Sequence, residues 1–536
     1  MNKNRKKSRI AQFFIAGTLS LSSFAWSQET LVDLVRAGNR EAVLAAITSP
    51  DLEVDARAPD GSTALHWSTY QVDRELVQAL LERGARADIT NKFGSSPLAE
   101  AVKLGDVELV RMLLEAGADA DSPNQDNQTA LMLAVSAGSL EIVRMLIDAG
   151  ADINAVETFR DQTALMWAAA ENLPEITELL VEEGADVSLR AKYDDWPRQM
   201  TAEPRAQYRA TGGLTALLYA TRSGCYRCAV AIVEGGADIN QPNPDGITPL
   251  INALDNKNFD IAMYLLDKGA NAEAWDMHGR TPLYVAVDMN SFTLLGFTNG
   301  FGFDRVAARA PDKATAMDVV NRLLEMGVDT DHELTRIRPN GNGRGRFVDY
   351  MMRGGTGPLM VATLSHDHEA MAALLAHGAE VDLPNVFRLT PLMAAAGLNG
   401  SARGSTTLPD LEDLQWHIIR TLDLLLDAGA DINARVTDSH TYTATLVAYV
   451  KGRDHEGKTA LFGAAELGFD RVVEHLLARG ADPTVRDAAG KTALDAALEP
   501  VGAGTSAVSG PLTDEEGRQR VVAMLQALLA GTAAEE

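Results

Sequence analysis

The sequence predicts an all-α protein, a solenoid of helix-turn-helix units joined by hairpin fingers, with about eleven repeats plus an N-terminal capping repeat. Three observations predict it. A Ser/Thr-Ala/Pro-Leu phrase recurs at Thr63, Ser96, Thr129, Thr163, Thr215, Thr248, Thr281, Thr390, Thr459 and Thr492, with Gly357 in the Thr place once. Its successive spacings are 33, 33, 34, 52, 33, 33, 76, 33, 69 and 33 residues. A second phrase follows in register, an apolar pair closing on Gly-Ala-Asp, as at Leu113-Leu114 before Gly117 and Leu425-Leu426 before Gly429. A fixed period of this length marks a repeat architecture.

Each element of the unit has a physical reason. The Thr hydroxyl can cap a helix start, and Pro suits the first helical turn, where its missing N–H costs nothing. Leu and Ala make the first helix short and closely packing. A Gly such as Gly105 or Gly138 lets the chain reverse. Leu140, Ile142, Val143 and Leu146 then repeat at helical spacing in the second helix. The Gly of Gly-Ala-Asp ends that helix in a left-handed cap. An Asp-Gly pair, as at Asp60-Gly61 and Asp245-Gly246, turns the finger into the next unit. No unit can bury its apolar stripe alone, so each must stack on its neighbours.

The chain opens with Lys3, Arg5, Lys6, Lys7 and Arg9, an apolar run from Ile10 to Ala25, and small residues at Ala25 and Ser27. This is the pattern of a secretory signal over 1–27, with an uncleaved anchor as the competing reading. It predicts export, to the periplasm or beyond it, with no membrane insertion after cleavage. Residues 28–59 read as a capping repeat, with Leu31-Val32-Leu34-Val35 and Val43-Leu44-Ile47 as its helices. Repeats 1–4 span 60–192, a finger insertion 193–211, and repeats 5 to 7 begin over 212–290. An insertion between helices covers 291–314, the second helix of repeat 7 covers 315–333, and a second finger insertion covers 334–355. Repeats 8–9 span 356–435 with an inter-helix insertion at 400–416. A third finger insertion covers 436–455, and 456–530 holds repeats 10–11, ending in a helix from Arg518 to Leu529.

The 33-residue period, the Thr-Pro-Leu-His-like phrase and the Gly-Ala-Asp close together resemble the ankyrin repeat. The resemblance runs from about Glu29 to the C-terminus. His66 alone supplies the family's His after the Leu, and Gly357 departs from the Thr. The resemblance implies a protein-binding role for the fingers and first helices.

The net charge of −26 becomes −31 once the basic first 27 residues are removed. That excludes nucleic acid and anionic membranes as partners, because both demand concentrated Lys and Arg. The enlarged fingers depart from this acidity. Residues 190–211, around the first, carry Trp196 and Tyr208 among five basic residues, and the second carries Arg338, Arg344, Arg346 and Phe347. Arginine and aromatics are favoured at interface hot spots, although solvated loops grown by drift would look similar. The third finger is rich in β-branched residues and reads as an extended hairpin. Phe292, Phe297, Phe301 and Phe303 read as a small satellite core. At ordinary finger tips, Phe93, Phe159, Arg160, His278, Arg280, Phe387 and Arg388 have no packing duty in the repeat, so they are assigned to partner contact. Trp67, Trp167 and Tyr219 share a slot expected to pack in the core.

Cys225 and Cys228 fit a disulfide, two buried thiols or a redox pair at a helix start. His366-Asp367-His368-Glu369 looks like metal ligands, but the register makes it a solvated turn opening a helix. No phosphate loop, zinc-protease motif or nucleophile elbow occurs. The sequence therefore predicts a non-catalytic, monomeric scaffold with no cofactor and no metal, gripping another protein in its groove. Its rivals are a maturation factor for an exported redox enzyme, a thiol–disulfide enzyme using the cysteine pair, and an effector acting outside the cell.

Overall fold

In a computed structural model, residues 30–194, 212–294, 312–335, 355–386, 388–398, 411–437, 455–499 and 515–532 are described. They form 24 helices and, among the described residues, no strand beyond two isolated antiparallel bridges. The chain divides into two units, residues 1–119 and 120–536.

The first unit holds α1 (Leu31–Arg36), α2 (Arg40–Ile47), α3 (Ala64–Tyr70), α4 (Arg74–Glu82), α5 (Pro97–Leu104) and α6 (Val107–Glu115). The first helices α1, α3 and α5 pack in succession, as do the second helices α2, α4 and α6. His66 bonds in two directions. Its Nδ1 accepts from the Thr63 N–H at 3.1 Å, and its Nε2 donates to the Ser95 carbonyl at 3.0 Å. The ring thus caps its own helix and ties it to the next repeat. Burial holds it neutral, pushing its pKa down.

The second unit opens with α7 (Ala130–Ser136), α8 (Leu140–Asp148), α9 (Ala164–Ala170), α10 (Pro174–Glu182), α11 (Ala216–Ser223) and α12 (Tyr226–Glu234). It continues through α13 (Pro249–Asp255), α14 (Phe259–Asp267), α15 (Pro282–Leu294), α16 (Ala316–Glu325), α17 (Pro358–Leu364) and α18 (His368–Ala376). It closes with α19 (Pro391–Ala395), α20 (Leu411–Asp427), α21 (Ala460–Leu467), α22 (Asp470–Ala478), α23 (Ala493–Leu498) and α24 (Glu515–Thr532). Odd-numbered helices pack on odd and even on even through the unit.

The recurring phrases do the work assigned to them. Thr129, Thr163, Thr215, Thr248 and Thr390 each accept a backbone N–H three residues on. The Leu of the phrase is buried at Leu131, Leu165, Leu217, Leu250 and Leu392. Gly150, at φ 89°, ends α8, and the following Ala151 N–H bonds back to the Leu146 carbonyl at 3.0 Å. This is the left-handed cap that a Cβ would strain. Trp67 and Trp167 are half-buried and Tyr219 is buried, consistent with packing duty.

Two helices are longer than their sisters. α15 continues four residues into the segment expected to be loop from Ser291, because Asn290 Nδ2 and Ser291 Oγ donate to the Asp367 carboxylate at 2.7 and 3.2 Å. α20 starts at Leu411, inside the expected 400–416 insertion. Its added turns serve α22, whose N-cap position is Phe469 and has no side-chain cap. Gln415 Oε1 supplies the missing acceptor, taking the Arg471 N–H at 3.1 Å. The C-terminal helix likewise runs Glu515–Thr532, beyond the expected limits at both ends. The phenylalanine loop and the β-branched finger lie outside the described residues, apart from Phe292 on α15.

Candidate functional site

The fingers are tight turns pinned by their own side chains and by one another. Asn243 Oδ1 accepts the Asp245 and Ile247 N–H groups at 3.0 and 2.9 Å, and the Asp245 carbonyl accepts the Met277 N–H of the next finger at 2.9 Å. The enlarged fingers grow from the same frame. The Ala191 N–H bonds to the Leu214 carbonyl at 2.9 Å and the Gly213 N–H to the Lys192 carbonyl at 3.1 Å. Leu334 pairs in the same way with Thr356 and Gly355, and Val436 with Lys458 and Gly457.

The Phe159–Arg160 tip is the most exposed apolar point among the described residues. Phe159 is 74% exposed, and the Arg160 guanidinium lies 5.5 Å from its ring centre. The backbone beneath is fixed. The buried Glu157 carboxylate accepts the N–H groups of Phe159, Arg160 and Gln162 at 2.6, 2.8 and 3.2 Å. Thr158 N–H bonds to Asp126 O of the finger before, and the Arg160 carbonyl accepts the Lys192 N–H at 2.6 Å from the finger after. An aromatic on a rigid turn loses little freedom on binding. The next finger adds exposed Tyr193, and Phe93 is exposed at a tip in the first unit. Arg388 is exposed in a left-handed turn, φ 59°.

Arg280 is a correction. The sequence places it at a finger tip for partner contact, yet its side chain is 7% exposed and points inward. Its Nε donates to Asp276 Oδ2 at 2.7 Å, and Nη1 and Nη2 donate to the Asp255 carboxylate at 2.7 and 2.9 Å. The two carboxylates hold the guanidinium charged, raising its pKa further. Burial opposes this as the largest single influence. His278 of the same finger is buried too. Trp196, Tyr208, Arg338, Arg344, Arg346, Phe347 and Phe387 lie outside the described residues.

Trp275 was missed. It is 61% exposed, just before the Asp276 turn, with its ring 5.7 Å from that of His332. Sister fingers carry Pro123, Pro242 and Pro384 immediately before the turn Asn. A tryptophan where the repeat asks only for a turn-former was the available signal.

Cys225 and Cys228 are joined by a disulfide. Cys225 is the N-cap of α12, its sulfur accepting the Cys228 N–H at 3.2 Å. Both sulfurs belong to buried residues, and Thr177 Oγ1 donates to Cys228 at 3.4 Å. This is a covalent version of the side-chain caps in sister helices, with no exposed sulfur for an attacking thiolate. His366 and His368 are a second correction. The turn is not solvated but packed against α20 through Thr421 and His417. Among the described residues no group of three or more His, Cys, Asp or Glu is arranged to hold a metal ion. No described helix is long and apolar enough to cross a membrane.

Helices paired in sequence, left-handed Gly caps and pinned fingers define a stacked-repeat protein. The chain belongs to the ankyrin repeat family. Residues 31–124, 116–191 and 217–296 match the family of ankyrin repeats in three copies, and 456–488 match the single ankyrin repeat. The Notch-regulated ankyrin repeat-containing proteins of Homo sapiens and Xenopus laevis are 34% and 32% identical over 83 residues, 15% of this chain and 73% of theirs. The crystal structure of the ankyrin repeat domain of Bcl-3, a member of the IkappaB protein family, is 27% identical with a TM-score of 0.36, covering 42% of this chain and 94% of that one. Ankyrin repeat domains typically mediate protein binding and are usually non-catalytic.

Proposed function

We propose that this chain is an exported, non-catalytic scaffold that holds a partner protein against its fingers. The Phe159–Arg160 tip carries the reading, because a large apolar ring is held in solvent by a backbone that has no freedom to retract it. Exposed Tyr193 and Trp275 extend the same type of contact along the fingers, and Arg388 adds a cation. The basic and apolar first 27 residues support export, and a disulfide in so cysteine-poor a chain suits an oxidising compartment.

The experiment is a pull-down from the exported fraction of the native organism, with the protein from Gln28 onward as bait. A parallel bait carries Phe159→Ala and Arg160→Ala. The expected outcome is a discrete protein retained by the first bait and weakened at least ~30-fold in affinity on the second, the scale of hot-spot truncation. Equal retention would move binding off this tip. Nothing retained by either bait at moderate salt would sink the scaffold reading.

A further inference from the structure

We propose that the packing of the α17–α18 turn against α20 is a latch that acid releases, built on three histidines and one threonine. His366 Nδ1 lies 2.9 Å from Thr421 Oγ1, and His368 Nε2 lies 3.1 Å from the same oxygen. His368 Nε2 is also 3.2 Å from the His417 carbonyl, which can only accept, so this nitrogen carries its proton. The single Thr421 hydroxyl proton is then free to go to a bare His366 Nδ1. The third imidazole, His417, stacks on His368 with ring centres 5.6 Å apart and lies 6.4 Å from His366. Its Nδ1 is buried with no hydrogen-bond partner. Thr421 is fully buried.

A neutral His366 lets the Thr421 hydroxyl use both its donor and its acceptor on the two imidazoles. A proton on Nδ1 makes the Thr421 hydroxyl rotate to accept from both imidazoles and give up its own donation to the ring, and the charge faces two more imidazoles. Few opposing charges compensate. Asp367, on the same turn, favours a charged His368, but its carboxylate is already taken by Asn290, Ser291 and the Ala370 N–H. Arg420 on α20 opposes that charge. α17 and α19 contribute no ionisable side chain. On α16, Asp318 caps its own helix, Arg322 pairs with Asp267, and Glu325 is exposed. Burial, then His368 and His417, push His366 down to about 3. Burial is also the largest influence lowering His368.

The sign follows from linkage. Between about pH 6.5 and 3 the opened turn binds a proton that the closed turn refuses, so acid favours opening, by up to about tenfold per pH unit for one such histidine. The turn tolerates a non-titrating replacement. His366 sits at φ 53°, the place held by Asn172 at φ 58° in a sister repeat. His366→Asn keeps the left-handed turn and an acceptor oxygen.

The test is hydrogen exchange followed by mass spectrometry on the full chain at pH 7.5 and 5.0, corrected for the intrinsic rate, reading α18 and α20 with α8 as control. Protection of α18 and α20 is expected to fall about 10–30-fold in the wild type and at least about threefold less in His366→Asn, where His368 alone still resists protonation. An equal fall in both proteins, or none in the wild type, overturns the latch. Should His366→Asn fold poorly, an imidazole titration of the wild type by NMR decides. His366 staying neutral at pH 5 supports the proposal, and ordinary titration near 6.5 overturns it.

Discussion

Replacing Arg280 by Met should be among the most damaging single changes in the second unit, although sequence alone places it at an exposed tip. The methionine fills the space of the aliphatic stem but leaves two carboxylates without their cation. Asp276 has a side chain 0% exposed, so its Oδ2 loses a 2.7 Å charge-assisted bond with no water to replace it. Asp255 loses two bonds but is 25% exposed and rehydrates in part. Most of the penalty therefore falls on Asp276, and breaking a buried pair of this kind costs about 3–5 kcal/mol. Asp276→Asn and Asp255→Asn, added to Arg280→Met, remove the stranded charges. Asn at 276 retains the acceptor for the His278 and Arg280 N–H groups, the role Asn243 plays in a sister finger. The triple variant should recover to within about 1.5 kcal/mol of the wild type, since neutral replacement of a buried ionic group is often nearly free. The assay is native-state hydrogen exchange of the amides of α13 and of residues 276–281, with urea unfolding alongside. A loss below about 1 kcal/mol in Arg280→Met, or no recovery in the triple variant, would refute the reasoning.

Two further outcomes follow from the packing. Gly463 lies in α21, where an added Cβ would sit 2.3 Å from the Leu398 backbone N and 2.7 Å from its Cα. Gly463→Ala should cost about 3 kcal/mol in urea unfolding by forcing α19 and α21 apart. Gly480→Ala meets nothing within 4 Å and suffers only its φ of 99°, so it should cost about 1–2 kcal/mol; equal losses would refute the close-approach argument. His66 is held neutral in the fold, so the unfolded chain gains a proton near pH 6.5 that the folded chain declines, and stability falls as pH drops below that value. The decline in thermal midpoint between pH 7 and 5 should therefore be smaller in His66→Gln than in the wild type.

The parts of the fold legible in the sequence are those where one residue answers a local backbone demand. Thr129 caps because of its own hydroxyl, and Gly150 terminates α8 because of its own missing Cβ, so both announce themselves every 33 residues or so. What was hidden depends on partners distant in the chain. His366 and His368 meet His417 and Thr421 only because α18 packs on α20, and the intervening insertion obscures that register. The early start of α20 was hidden for another reason. Leu411, Leu414 and Ile418 have helical spacing, but they fall in the excess length between two repeat landmarks, where the 33-residue period asks for no helix.

The opposite fates of Arg160 and Arg280 show where tip residues can be read further. Each follows an acid at the base of its own turn, Glu157 or Asp276. Glu157 engages both oxygens with the backbone, Oε2 on the Phe159 N–H and Oε1 on those of Arg160 and Gln162. Asp276 satisfies both backbone N–H groups with Oδ1 alone, so Oδ2 remains for Arg280 Nε, and Asp255 on α13 completes the fork. An Asn in the same place, as at 243, offers a carbonyl for the backbone and an amide that repels a guanidinium. In these two turns the arginine turns inward where the turn base has an oxygen clear of the backbone and the preceding first helix carries an acid, as Asp276 and Asp255 do for Arg280. The sequence contains both facts for Arg280, but the repeat register must be fixed before Asp255 can be recognised as their meeting point.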